Sequence, residues 1–143
     1  MARSEAFEDI AENFELFDDW EDRYRYVIDL GRAMPTLPED RRIPATKVEG
    51  CASQVWLAPE VREGPHGTEL HFQGDSDAMI VRGLIAVLVA LISGRPLEEI
   101  RRTDIRGELA RLHLEQALSS QRSNGLRAMV RRIEEIANSA RAA

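Results

Sequence analysis

The sequence predicts an α+β domain in which a small three-stranded antiparallel sheet carries helices gathered on one face. Three observations predict it. Apolar residues recur at helical spacing near both ends of the chain, and a long apolar run after the midpoint is too extended for a strand. Between residues 54 and 74, two short β-branched and aromatic stretches flank the turn sequence REGPHGT, the pattern of a hairpin. At 143 residues, 43% hydrophobic and 31% charged, the chain fits a single domain spanning 1–143 with one core.

Phe7, Ile10, Ala11, Phe14 and Phe17 fall on one helical stripe and leave the acidic residues between them facing water, with Ser4 available as a cap. A second helix starts after Asp18 and Asp19, places Trp20, Tyr24, Val27, Ile28 and Gly31 along one side and stops before Pro35. The three prolines of PTLPEDRRIPATK make an ordered loop leading into extended chain. In the hairpin, Val55 and Leu57 share one face, as do Leu70 and Phe72, with Trp56, His71 and Gln73 on the other. A third strand is expected around residues 46–49, which would set Cys51 in a tight connection between strands.

Residues 79–93 read as a core helix capped by Asp75, Ser76 or Asp77 and stopped by SGRP. That run falls short of the roughly 20 apolar residues a membrane span needs, and Arg82 interrupts it. Short helices are expected from Pro96 to Arg102 and from Asp104 to Glu115. After a break at SSQRSNG, the residues Leu126, Met129, Val130, Ile133, Ile136, Ala137 and Ala140 form the last amphipathic stripe.

The charge is polarised along the chain. Residues 1–94 hold 18 acidic and 9 basic side chains, and residues 95–143 hold 7 and 10, within a net charge of -6. Nine carboxylates between Glu5 and Asp22, with no basic residue among them, would repel a phosphate backbone, so nucleic acid is not an expected partner. The acidic N-terminus has neither the basic region nor the apolar stretch of a secretory signal, and a cytoplasmic location is expected, with no membrane attachment.

Cys51 is the only cysteine, so no disulfide can form within the chain, and with His66, His71 and His113 it makes no recognisable metal-ligand spacing. Gly50 permits a sharp turn, and Ala52 and Ser53 add little cover, so the sulfur can sit at a loop tip. Reactivity at neutral pH would need backbone N–H groups or a cation to favour the thiolate, and Arg122 is the candidate cation. Cysteine hydrolase chemistry would need a histidine beside the thiol and an oxyanion hole. A buried thiol acting only as a small apolar filler is the structural alternative.

The segments VEGCASQVWL, FQGDSDAMIVRGLIAV, RSNGLRAMVRRI and DWEDRYRYVIDLGRAMP, with the order and spacing they have here, resemble the SufE family of sulfur acceptors, which includes CsdE. The resemblance runs from about residue 13 to the last helix and implies the fold shared with the scaffold IscU, without that protein's ligand set. It implies that Cys51 takes persulfide sulfur from a PLP-dependent cysteine desulfurase of the SufS or CsdA type, raises that enzyme's turnover, and passes sulfur to a SufBCD-type scaffold. The chain itself would then be an accessory protein without a cofactor or metal, PLP belonging to the partner, and is expected as a monomer or weak homodimer.

Matched position by position, Gly50, Ser53, Val55 and Trp56 fall in the family's cysteine loop and following strand. Asp75, Ser76 and Asp77 fall in its GDSDA turn, and Arg122 and Gly125 in its last motif; Gly50, Ser53, Trp56, Asp75, Asp77 and Arg122 are the candidates for loop support or partner contact. Ala117 and Ser120 stand where members commonly have histidine and proline. An Fe–S scaffold and an independent cysteine hydrolase remain as alternatives.

Overall fold

A computed structural model describes residues 5–116 and 118–140. Ser4 and Ala117, the expected cap and the departure from the family pattern, lie outside the described residues. Helices α1 (Glu5–Leu16) and α2 (Trp20–Ala33) come first. Phe7, Ile10, Ala11 and Phe14 of α1 are buried, as their spacing requires. Asp19 caps α2 by accepting from the Asp22 amide at 2.9 Å.

Strands β1 (Val55–Gly64) and β2 (Gly67–Ser76) form the hairpin, followed by α3 (Met79–Ile92). The third strand is β3 (Arg95–Pro96), antiparallel to β2 through Glu69 and Leu70, so the sheet order is β1-β2-β3. The expected strand at 46–49 is reduced to an isolated bridge between Lys47 and Trp56. Only two backbone bonds hold it, Val48 N–H to Val55 O and Leu57 N–H to Thr46 O, because the Pro44–Thr46 turn on one side and the cysteine loop on the other leave no chain to extend the ladder. Pro59, two residues further along β1, offers no donor to that edge.

Val55, Leu57, Leu70 and Phe72 are buried on the face covered by α3. Residues 34–46 cross the other face: Leu37 is 2% exposed, and Arg41 donates to Gln73 at 2.8 Å. Helix α3 runs close against α2. A Cβ on Gly83 would lie 2.1 Å from the Val27 carbonyl oxygen, and one on Gly31 would lie 2.6 Å from the Gly83 nitrogen, so both crossing positions require glycine.

Helices α4 (Leu97–Arg102), α5 (Ile105–Ala110) and α6 (Ser120–Ser139) complete the chain. The helix expected over 104–115 stops early: the chain loosens after Ala110 and turns at His113, whose φ is 53°. The expected break at 119–125 does not occur. Ser119 caps α6 by accepting from the Arg122 amide at 3.2 Å, and Gln121 through Gly125 are helical despite their polarity. That extra turn and a half carries Arg122 and Gly125 toward Cys51.

Candidate functional site

The cysteine loop leaves the Lys47 bridge, turns at Gly50 with φ of 88°, and enters β1 at Val55. A residue with a Cβ is strained at that φ, so Gly50 sets the loop's path. The turn tucks Cys51 inward: the residue is half-buried, between the exposed Gly50 and Ala52, in a crevice also lined by Ser53, Val81, Leu84, Arg122, Leu126 and Met129. The free volume there is about 10 Å³, room for one water-sized sphere.

The thiol donates a long bond, 3.7 Å, to the Gly125 carbonyl oxygen on α6. Two side chains fasten the loop around it. Arg122 Nη1 donates to Ser53 Oγ at 2.7 Å, and Asp77 Oδ1 accepts from the Gln54 amide at 3.1 Å, while the Asp77 amide returns a bond to Gln54 O at 3.4 Å. Arg122 was the cation expected to favour the thiolate; the structure directs it to Ser53 instead. Burial, and secondarily the carboxylate of Glu49, push the Cys51 thiol above its ordinary pKa. Both influences favour the thiol over the thiolate.

Asp75 occupies a different setting from its neighbour Asp77. It is 1% exposed, with Oδ2 accepting from the Leu37 amide at 2.9 Å and from Arg42 Nη2 at 2.5 Å, and Oδ1 accepting from the Ser76 amide at 2.8 Å and from Arg82. Burial alone would raise its pKa, but the two amides and the guanidinium groups outweigh it and hold the carboxyl below the usual range. Arg82 also donates to the Gly31 and Met34 carbonyls at the end of α2. Asp75 therefore joins the 34–42 loop, the sheet and the end of α2, and faces no surface a partner could touch.

Nor do the candidate caps, the acids Asp75 and Asp77 and the hydroxyl of Ser76, cap α3 as expected. Its N-cap is Ala78 with no side-chain bond, Asp75 being directed to the arginines and Asp77 to Gln54, while Ser76 Oγ accepts from the Ala78 amide at 3.2 Å. Trp56 is half-buried beneath the Arg42 guanidinium, 5.3 Å from its ring centroid. The sequence reading missed Arg42, Arg82 and Gln54. An arginine inside an apolar helical run was the available signal, since such a charge requires a buried partner.

Among the described residues no histidine lines the cysteine crevice. Among the described residues no group of three or more His, Cys, Asp or Glu is placed to hold a metal ion. Among those residues, too, no helix is long and apolar enough to cross a membrane.

The fold and the crevice define a small α+β protein that holds a half-buried thiol on a loop latched by Arg122 and Asp77. Residues 8–137 match the SufE family model, described as an Fe–S metabolism associated domain, and the chain belongs to the SufE family. It is 52% identical over 130 residues to an uncharacterized SufE-like protein of Rhizobium etli, covering 91% of this chain and 88% of that one. A second uncharacterized SufE-like protein, from Rhizobium meliloti, is 47% identical over 129 residues, covering 90% and 92%. The solution structure of a hypothetical protein from Thermus thermophilus superimposes with a TM-score of 0.75 over 98% of both chains; at 18% identity it speaks for the fold alone.

Proposed function

We propose that the chain is the sulfur acceptor of a PLP-dependent cysteine desulfurase of the SufS or CsdA type, working in the cytoplasm and handing sulfur to a SufBCD-type scaffold. The observation that carries this reading is the lone thiol of Cys51 on a loop fastened by two side-chain contacts, beside a crevice that no described histidine lines. In the transfer, the Cys51 thiolate attacks the terminal sulfur of the desulfurase persulfide. The donor's S–S bond breaks, its cysteine leaves as thiolate, and a new S–S bond forms on Cys51; no net oxidation occurs.

The resting geometry opposes that step twice. The raised pKa favours the thiol over the thiolate, and the crevice has too little free space for a donor sulfur. Docking of the desulfurase therefore has to draw the loop outward, exchanging the Gly125 contact for solvent and donor. Withdrawal afterwards would shelter the persulfide from reductants, and a solitary cysteine has no neighbour with which to release it as sulfide.

The test is desulfurase turnover with L-cysteine in the presence of the wild-type chain and of Cys51→Ser. The wild type raises alanine production and the variant does not. Equal stimulation by both would rule the carrier role out.

A further inference from the structure

Beyond Leu57, the outer edge of β1 runs without a partner. The bonds at the Val55 carbonyl and the Leu57 N–H show that odd-numbered residues of β1 turn their backbone groups to this edge, the even-numbered ones bonding to β2. Pairing with the Lys47 segment ends at Leu57, and among the described residues nothing takes up the Pro59 carbonyl or the backbone groups of Val61 and Glu63 that face outward. Residues 59–63 are all exposed, Val61 at 39%. An open edge of this kind is a template for another strand, and charges scattered along it ordinarily guard against pairing. Here their order does the reverse. Glu60 and Arg62 bracket Val61 with opposite signs, so the segment is complementary to itself when read antiparallel.

We propose that β1 of one chain pairs antiparallel with β1 of a second copy about a two-fold axis at Val61, joining the two three-stranded sheets edge to edge. Val61 then faces the partner's Val61 as a pair that exchanges both N–H···O bonds, and the Glu63 N–H of each chain donates to the partner's Pro59 carbonyl. Pro59 has no N–H to give, which leaves the Glu63 carbonyl to water. On the other face of the strand, Glu60 of each chain stands opposite the partner's Arg62. Arg62 Nη2 donates to Glu60 Oε2 at 2.9 Å within the chain, but both side chains are about half exposed and the guanidinium has further N–H groups to offer. Pairing closes a ring of alternating charges without requiring that bond to break.

Charge fixes the register. An axis at Arg62 would set Arg62 against the partner's Arg62, and an axis at Glu60 would set the two glutamates together; the axis at Val61 puts opposite signs in contact. Gly64 then falls opposite the partner's Ala58, next to the turn that ends the Lys47 bridge, and brings no side chain there. The contact also spares the cysteine loop. Val61 is separated from Val55, where that loop enters β1, by roughly 20 Å of strand, so the dimer carries its two thiols at opposite ends of the joined sheet.

The experiment is sedimentation equilibrium of the full chain at concentrations from about 10 μM to about 1 mM, in which wild type should form a dimer. Arg62→Glu sets like charges across the contact and should weaken dimerisation at least tenfold, whereas Glu60→Arg combined with Arg62→Glu restores opposite signs and should return to within about threefold of wild type. Val61→Pro removes the central N–H while leaving the bonds to β2 in place, and should also weaken dimerisation about tenfold or more. Hydrogen exchange on the wild type gives a reading independent of variant folding: the Val61 and Glu63 amides should exchange more slowly as concentration rises. A wild-type chain that stays monomeric at about 1 mM overturns the proposal. So does a charge-swapped pair no better than Arg62→Glu, a Val61→Pro variant that dimerises like wild type, or a dimer in which both amides exchange as in the monomer.

Discussion

Asp75 and Cys51 are both functional groups set beside α3, and the protein treats them in opposite ways. Asp75 receives two backbone amides and two guanidinium groups and is almost entirely enclosed. Cys51 has one weak 3.7 Å bond, a crevice wall on one side and exposed neighbours on the other. The carboxylate fixes the frame; the thiol rests against it. The difference follows from chemistry: a buried charge needs every lone pair matched, whereas a thiol tolerates both burial and release at small cost.

The largest expected effect lies on the side of Cys51. Cys51→Ser should abolish sulfur acceptance, measured as stimulated alanine production, while shifting stability by no more than about 1 kcal/mol, because the thiol's one bond is weak. Next comes the frame. Asp75→Asn leaves Arg82 and Arg42 facing a neutral group and should cost about 3–5 kcal/mol in denaturant unfolding. If that variant unfolds like wild type, the two regions do not differ as described.

Acid should separate them as well. Asp75 is held below the unfolded carboxylate value of about 3.9, so its stabilisation is complete above that value and disappears as pH falls through the folded one. Wild type should therefore lose stability below about pH 4 more steeply than Asp75→Asn does. Cys51 has the opposite sign of linkage. Its raised pKa favours the protonated folded state, so its contribution is intact below the ordinary thiol value of about 8.5 and erodes as pH climbs toward the folded one.

Smaller effects probe the latch. Arg122→Ala removes the Ser53 clamp and should speed iodoacetamide labelling of Cys51 several-fold, with a stability loss of about 1 kcal/mol. Glu49→Gln removes the weaker of the two influences that raise the thiol pKa, and should move the pH midpoint of labelling modestly downward. An unchanged labelling rate in Arg122→Ala would mean that the clamp does not govern access to the sulfur.

What the sequence made legible follows the same division. Periodicity located α1 and α2, the length of the apolar run located α3, and alternation located the hairpin; α1 and α3 bury their apolar stripes, whereas of the stripe expected on α2 Val27 and Gly31 are buried and Tyr24 is exposed. Periodicity misplaced the third strand because two residues, Arg95 and Pro96, carry no alternation to detect. It also broke α6 at SSQRSNG, where Ser119 capping and packing of Ser123 and Gly125 outweigh local polarity. Within the site, the lone cysteine in a glycine turn was readable, and the family pattern drew attention to Asp77 and Arg122. That Asp75 is a structural node and Asp77 a loop fastener was not readable, since only the fold shows what each of these strand-end carboxylates meets.

The most direct measurement is the intact mass of the chain after incubation with desulfurase and L-cysteine, without reductant. The account predicts a species heavier by one sulfur, about 32 Da, that reverts with dithiothreitol and is missing in Cys51→Ser. A chain that stays at its original mass while the desulfurase turns over, or an adduct that survives the loss of Cys51, would contradict it.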